Sequence, residues 1–437
     1  MVTRRHFIGA IGYPVAAFAL TGSMVLDPRR MARAAEALQE LGQRSDPSDK
    51  IACDESLWFQ VGQAFTVDRS IVNLNNGGVS PSPRIVQEAM KRHLDYSNTA
   101  PPYTMWQILE PQREAVRERF ARQFGCDAEE VAFTRNASES LQICLFGLDL
   151  EPGDEVLTTN QDYPRMVNTL KQRQRREGIV LRQFSIPVPA EDPDEVVSRF
   201  ERNITPKTKL ILMCHTINLT GQIMPVRRVV AMARAKGIPV IVDGAHALAH
   251  FDFTLADLDC DYYASSLHKW LFAPHGTGML YVRRDKIANL WPMMAAPESM
   301  DDNIRKFEEI GTHPAANYLA IAEALTFHQG IGPARKQARL VYLRDTWAHR
   351  LLQHDRVHLH TSLRPGLACG IANVQIDGVD SAELNSWLWK EHRILTAVIK
   401  HEEFEGIRVS PSVYTTTAEL DRFCDAMEDV LGNGLPS

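Results

Sequence analysis

Apolar runs of three to five residues recur through the middle of the chain, each bounded by polar or turn-forming residues. They fall at 131–134, 155–158, 180–184, 210–214, 240–243, 262–265 and 279–281. Runs this short, rich in β-branched and aromatic residues, predict buried strands. Between them the apolar positions recur at helical spacing, at 84–96, 111–124, 137–147, 194–202 and 226–236. The stretch "PRMVNTLKQRQRREG" is amphipathic and ends at Gly178, a helix stop signal. Strands alternating with helices imply an α/β fold with a mainly parallel sheet between helices. From about Asn317 longer helices dominate, and "IANVQIDG" is the clearest strand. That change predicts a smaller α+β domain over residues 317–437.

The first 70 residues follow another pattern. Thr3-Arg4-Arg5-His6-Phe7 precedes a weakly apolar stretch over 8–26 that is interrupted by glycines and Pro14. Ala32 and Ala34 then supply an A-x-A pattern. The twin arginine resembles a Tat export signal, which implies a leader over 1–34, a mature start near Ala35 and a periplasmic location reached through the Tat machinery. A retained membrane anchor and a chance match are the alternatives. The polar stretch 36–50 reads as a linker, and 35–71 as a linker plus an N-terminal arm. Tat export moves folded proteins, which suits an enzyme loaded with a cofactor inside the cell.

Composition narrows the function. Lys and Arg number 48 against 54 Asp and Glu, a net charge of −6, so no bulk basic field points to nucleic acid. The seven cysteines are scattered without a C-x-x-C pair, which indicates neither a metal site nor a disulfide framework.

Candidate chemistry lies just after the strands, where open α/β sheets bind ligands. Arg135-Asn136-Ala137-Ser138 opens a helix after the strand 131–134, and such a start suits a phosphate. Asn218 follows the strand ending at Cys214. Asp243-Gly244-Ala245-His246 follows the next strand, and Ser266-Leu267-His268-Lys269 the one after. A lysine amid apolar strand is unusual unless it is paired. Each feature alone has a plain structural explanation, a cap or an ion pair. Together they place a phosphate cradle, an acid, a histidine and a lysine on one sheet edge. Pyridoxal phosphate needs a lysine for its aldehyde, a carboxylate for its ring nitrogen and a helix start for its phosphate.

The stretch "IVDGAHALAHFDFTLADLDCDYYASSLHKWLFAPHGTGMLYVR" resembles the class V aminotransferase family of fold-type I pyridoxal 5'-phosphate enzymes, in particular the isopenicillin N epimerase-like branch. The similarity continues through "NLNNGG", "FTRNASESL", "HTINLTGQIMPV", "EEIGTHP" and "IRVSPSVYTT". It implies a seven-stranded, mainly parallel sheet in a large domain over 72–316. It also assigns roles. Lys269 would be the Schiff-base lysine and the base that moves the Cα proton, and Asp243 would pair with the ring nitrogen. His246 and Asn218 would lie near the phenolic oxygen, and Tyr163 would stack on the ring. Ala137, Ser138, Ser266 and His268 would hold the phosphate, although His268 could merely cap a turn. Arg408 would bind the substrate carboxylate, with Asn75, Asn76 and Gly77 closing that side. Gly311-Thr312 would reach the phosphate of a neighbouring subunit, which implies a homodimer.

Among the reactions open to such an enzyme, transamination needs only the lysine as shuttle and is expected first, with epimerisation as the alternative. Desulfuration is disfavoured, because no cysteine lies between Glu391 and Arg408 and Cys369 lies well upstream. A non-catalytic exported binding protein is opposed by the intact Lys269, Asp243 and Arg408. The substrate would be a small amino acid or a peptide-borne one. For an exported enzyme, tailoring of a periplasmic peptide siderophore is a use consistent with the leader.

Overall fold

The computed structural model describes residues 28–435, so Arg4, Arg5 and the apolar stretch after them lie outside the described residues. Seven strands form the central sheet: β1 Val131–Thr134, β2 Glu155–Thr159, β3 Val180–Phe184, β4 Thr208–Cys214, β5 Val240–Asp243, β6 Tyr262–Ser266 and β7 Gly278–Val282. Their spatial order is β1-β7-β6-β5-β4-β2-β3. All neighbouring pairs are parallel except the two made by β7. The alternation predicted from the apolar runs is therefore a seven-stranded sheet with one antiparallel insertion.

Both faces of this sheet are covered, and β4 shows how. Leu210 and Leu212 enter the apolar core on one face, Ile211 and Met213 the core on the other. Such a strand reads as a continuous apolar run because neither face meets water. The covering helices include α1 Pro28–Gln43, α2 Arg84–Ser97, α3 Arg113–Phe124, α4 Ala137–Gly147, α5 Pro164–Glu177, α6 Pro193–Asn203 and α7 Val226–Arg234. Helix α7 buries Val226, Val229, Val230 and Ala233, one stripe at i, i+3, i+4, i+7. Each valine contributes on the order of 1.5 kcal/mol or more by leaving water.

After the sheet come α8 Ile321–Ile331, which packs into the main core although the sequence pattern put it in the smaller domain, and α9 Pro333–Leu351, which joins a second core from Leu343 onward. A four-stranded antiparallel sheet follows, built from β8 Val357–Leu359, β9 Ala372–Ile376, β10 Ala397–Lys400 and β11 Glu405–Val409 in the order β10-β11-β9-β8. Helices α10 Ser381–His392 and α11 Thr417–Asn433 pack on it around a separate core containing Trp347, Leu388, Ile407 and Phe423. The chain just before the large domain is tied in here: Val72–Asn73 pairs in parallel with Ile394–Leu395.

The stretch 36–50 is not a linker. Most of it continues α1, and a short helix Ser48–Ala52 follows. Ala34, Ala37 and Leu41 are buried in the main core. Their spacing of three and four residues puts them on one helical face, a signal hidden by the polar residues between them. Ala34 of the A-x-A pattern thus lies within a packed helix. Among the described residues no helix is long and apolar enough to cross a membrane.

Candidate active site

Strand register sets up the site. Cys214, Asp243 and Ala264 stand level across β4, β5 and β6. The chain beyond each of these strands therefore emerges on the same carboxyl edge. Gly244 allows the crowding there, since a Cβ at this position would collide with the Tyr263 ring. Gly278 does the same opposite α4, where a Cβ would lie 2.5 Å from the Asn136 Cα.

A cavity of about 360 Å³ opens at this edge. Of the residues singled out in the sequence, Ala137, Ser138, Tyr163, Asn218, Asp243, His246, Ser266, His268 and Lys269 line it. At one end lies the start of α4. Asn136 caps that helix by accepting from Glu139 N at 2.9 Å, and Ser266 Oγ accepts from Ala137 N at 3.0 Å. Helix start, backbone N–H groups and serine hydroxyls fit a phosphate. His268 caps a turn and also borders the cavity. Its Nδ1 donates to the Thr277 carbonyl at 3.0 Å, fixing the turn. Burial, aided by Lys269, pushes its pKa down to about 4, so the ring is neutral.

At the middle stands Asp243. One carboxylate oxygen accepts from Ala245 N at 2.9 Å. Burial raises its pKa to about 6, opposed by the Ala245 N–H and by Lys269. A buried acid with so little compensation is suited to a cationic partner such as a protonated pyridine nitrogen. Lys269 is the facing group, with Nζ 2.9 Å from His246 Nε2. Burial lowers its pKa to about 8, a shift that Asp243 opposes and Arg408 reinforces. The amine is thereby brought toward its neutral, nucleophilic form. His246 is itself neutral, since burial drives its pKa well below the ordinary value. Tyr163, 37% exposed, borders the cavity from the start of α5 and is free to lie over a planar ring.

Arg408 on β11 is 7% exposed and does not border the cavity itself. It donates to the Asn218 carbonyl at 3.0 Å and to Asn75 Oδ1 at 2.9 Å. Burial lowers its pKa to about 10. Its Nε, His246 Nδ1, Asn218 Oδ1 and Thr216 Oγ1 are buried polar atoms with no partner among the described residues. Three of these belong to residues lining the cavity, and such orphaned groups fit a polar ligand.

Asn75, Asn76 and Gly77, expected to close the substrate side, do not border the cavity. Asn76 is fully buried and spent on structure: it accepts from Tyr414 Oη at 2.6 Å and donates to the Asn73 and Ser410 carbonyls. Thr312, expected at a neighbouring subunit's phosphate rather than its own, is exposed and does not border this chain's cavity. The sequence reading passed over Cys214, Thr216, Ala245 and Arg165, which also line it. Cys214, Thr216 and Asn218 alternate, so the period-two pattern of β4 carried on past its end was the available signal. No group of three or more potential metal ligands occurs among the described residues.

The fold and these residues define a fold-type I pyridoxal 5'-phosphate-dependent enzyme. The description of the Aminotransferase class-V family matches residues 72–423, and the chain belongs to that family. It is 31% identical over 400 residues to an isopenicillin N epimerase of Streptomyces clavuligerus, covering 86% of this chain and 98% of that one. An isopenicillin N epimerase of Amycolatopsis lactamdurans is 30% identical over 392 residues, with 85% and 98% covered. Among solved structures, a cystine C-S lyase in complex with cysteine persulfide superposes with a TM-score of 0.74 at 23% identity, covering 83% of this chain and 98% of that one. A cysteine desulfurase of Escherichia coli gives 0.74 at 20% identity, with 86% and 98% covered.

Proposed function

We propose that the enzyme removes the Cα proton of an amino acid, free or peptide-borne, with Lys269 as base, and that the outcome is transamination. The observation that carries this is the Lys269–His246 contact. Lys269 is the one lysine bordering the cavity among the described residues, its amine is shifted toward neutrality, and a neutral imidazole sits 2.9 Å away to hold or pass its proton. Bound pyridoxal phosphate supplies an electron sink for the charge left when a bond to Cα breaks. Asp243 keeps the ring nitrogen protonated, the α4 start holds the phosphate, and Arg408 binds the substrate carboxylate with a planar donor pair. A single mobile base suffices to move a proton from Cα to a neighbouring carbon on the same face.

Desulfuration is poorly supported by these residues. The cysteine bordering the cavity, Cys214, is 3% exposed, and burial raises its thiol well above the ordinary value. Cys369 is buried too and pushed up to about 12. Thiolate, the reactive form, is scarce at both.

Epimerisation is the second reading, favoured by the isopenicillin N epimerase relatives. One experiment separates the two. Amino acids and peptides are incubated with the holoenzyme in D2O, with and without an α-keto acid acceptor. Transamination gives a keto product dependent on the acceptor. Epimerisation gives Cα deuteration with the opposite configuration and no keto product. Neither product with any amine, although the cofactor is bound, would refute both.

We also propose that the enzyme is a homodimer, with the exposed Thr312 completing the neighbouring subunit's phosphate site. Exposed Tyr96, Tyr103 and Trp106 supply apolar surface for such a contact. Export through the twin-arginine route is proposed on the Arg4-Arg5 pair alone.

A further inference from the structure

Behind the cavity, the residue after Lys269 is held in an unusual way. Trp270 is fully buried, and its carbonyl accepts a hydrogen bond from Lys336 Nζ. Lys336 comes from the first turn of α9 and is itself 0% exposed. Its Nζ also lies 3.9 Å from the centre of the Phe272 ring. Phe272 has φ of +62°, a left-handed backbone that is costly for a bulky side chain. The turn 269–272 thus carries a functional amine, a clamped carbonyl and a strained aromatic within four residues.

Lys336 has no carboxylate partner in any ion pair among the described residues. The titratable groups that face it are His250 and His328, both buried. Burial alone pushes the Lys336 amine far below the ordinary lysine value. A lysine near a helix N-terminus also opposes the helix dipole. Packing alone would be served better by an apolar side chain, since a buried amine without a counter-ion is destabilising. His250 reinforces the same place from the other side. Its ring lies tilted against Trp270 with centroids 3.8 Å apart, and its Nδ1 donates to the His246 carbonyl at 3.0 Å.

We propose that Lys336 is a positioning residue for Lys269: it holds the Trp270 carbonyl, pins the strained turn 269–272, and so fixes the direction in which the Lys269 amine enters the cavity. This rests on Lys269 carrying the cofactor.

The test compares wild type with Lys336→Met, which keeps length but loses the donor, and Lys336→Gln, which keeps an N–H donor. Protein stripped of cofactor is mixed with pyridoxal phosphate. Capture is followed by absorbance and by borohydride trapping with peptide mapping, and kcat, KM and urea midpoints are measured on the loaded forms. The Met variant should fold with a urea midpoint at or above wild type. It should capture cofactor and turn over about ten- to a hundredfold more slowly, the scale expected of an ångström-sized misplacement, with KM unchanged. The Gln variant should stay within about threefold of wild type. Wild-type label on another lysine would refute the role of Lys269 itself. Label on Lys269 with Met capturing and turning over at the wild-type rate, or with Met and Gln equally impaired, would overturn the positioning role. If the Met variant does not fold, Gln decides alone, and a folded Gln variant slowed tenfold or more overturns it.

Discussion

The Lys269 amine should capture pyridoxal phosphate at a pH where ordinary lysines are inert. Burial lowers its pKa from 10.5 to about 8. Only the neutral amine attacks an aldehyde. At pH 7 about a tenth of Lys269 is neutral, against roughly 0.03% of an unperturbed lysine, a gain of some 300-fold. The sign of each neighbour's effect follows from its charge. Asp243 stabilises the protonated amine, so Asp243→Asn should lower the midpoint further and speed capture at pH 7 while impairing turnover. Arg408 disfavours the protonated amine, so Arg408→Met should raise the midpoint and slow capture. The assay mixes stripped protein with pyridoxal phosphate from pH 6 to 10 and records the rise of the bound-cofactor band. Nα-acetyl-lysine run in parallel removes the cofactor's own titration. Borohydride reduction and peptide mapping then locate the attachment. A midpoint at the ordinary lysine value, or Asp243→Asn and Arg408→Met shifting it in the same direction, would refute the electrostatic account.

Four further outcomes are expected. Arg408→Met should raise KM for carboxylate-bearing substrates by the equivalent of about 2–4 kcal/mol, the usual loss for a desolvated charged hydrogen-bonded pair; an unchanged KM would remove Arg408 from carboxylate binding. Glu308→Ala should lower stability by about 3–5 kcal/mol in urea unfolding, because Arg117, fully buried and bonded to Glu308 at 2.6 and 2.9 Å, would be left without its main counter-ion; a loss below about 1 kcal/mol would show that water reaches the site. Sedimentation of the loaded protein should give a dimer, and Thr312→Ala should weaken cofactor retention without dissociating it; a loaded monomer at micromolar concentration contradicts both. Arg4→Lys with Arg5→Lys should leave a folded, yellow protein in the cytoplasm, whereas normal periplasmic levels of that variant would show that the pair is not an export address.

What could be read in the sequence was whatever a local pattern encodes. Strands buried on both faces announce themselves as apolar runs, so β1 and β5 were delimited as they stand in the fold, whereas β3, delimited equally well, is an edge strand with no buried residue. The order of Asp243, His246 and Lys269 after two successive strands placed them on one edge, because parallel strands share a carboxyl end. Contacts between distant segments left no such trace. Asn76, just past a short strand, and Arg408, within β11, are both polar residues, yet one braces Tyr414 and the other reaches toward the cavity through Asn218. Helix α1 was hidden because its buried stripe consists of small residues set among glutamate, glutamine and arginine. Lys336 carried no motif at all: its partner is a backbone carbonyl, and a carbonyl has no signature in the sequence.

The burial that tunes Asp243, Lys269 and Arg408 also bears on how long the protein survives in a cell. Each of the three is pressed toward its neutral form, and a ligand that pairs them binds the native chain far better than the unfolded one. Such a ligand at about 100 times its Kd adds about 2.7 kcal/mol to stability. Stability differences of that size change the unfolded fraction, and with it exposure to proteases, several-fold or more. Abundance of this enzyme should therefore follow vitamin B6 supply even at constant synthesis, rising as the vitamin is restored and falling by degradation as it runs short.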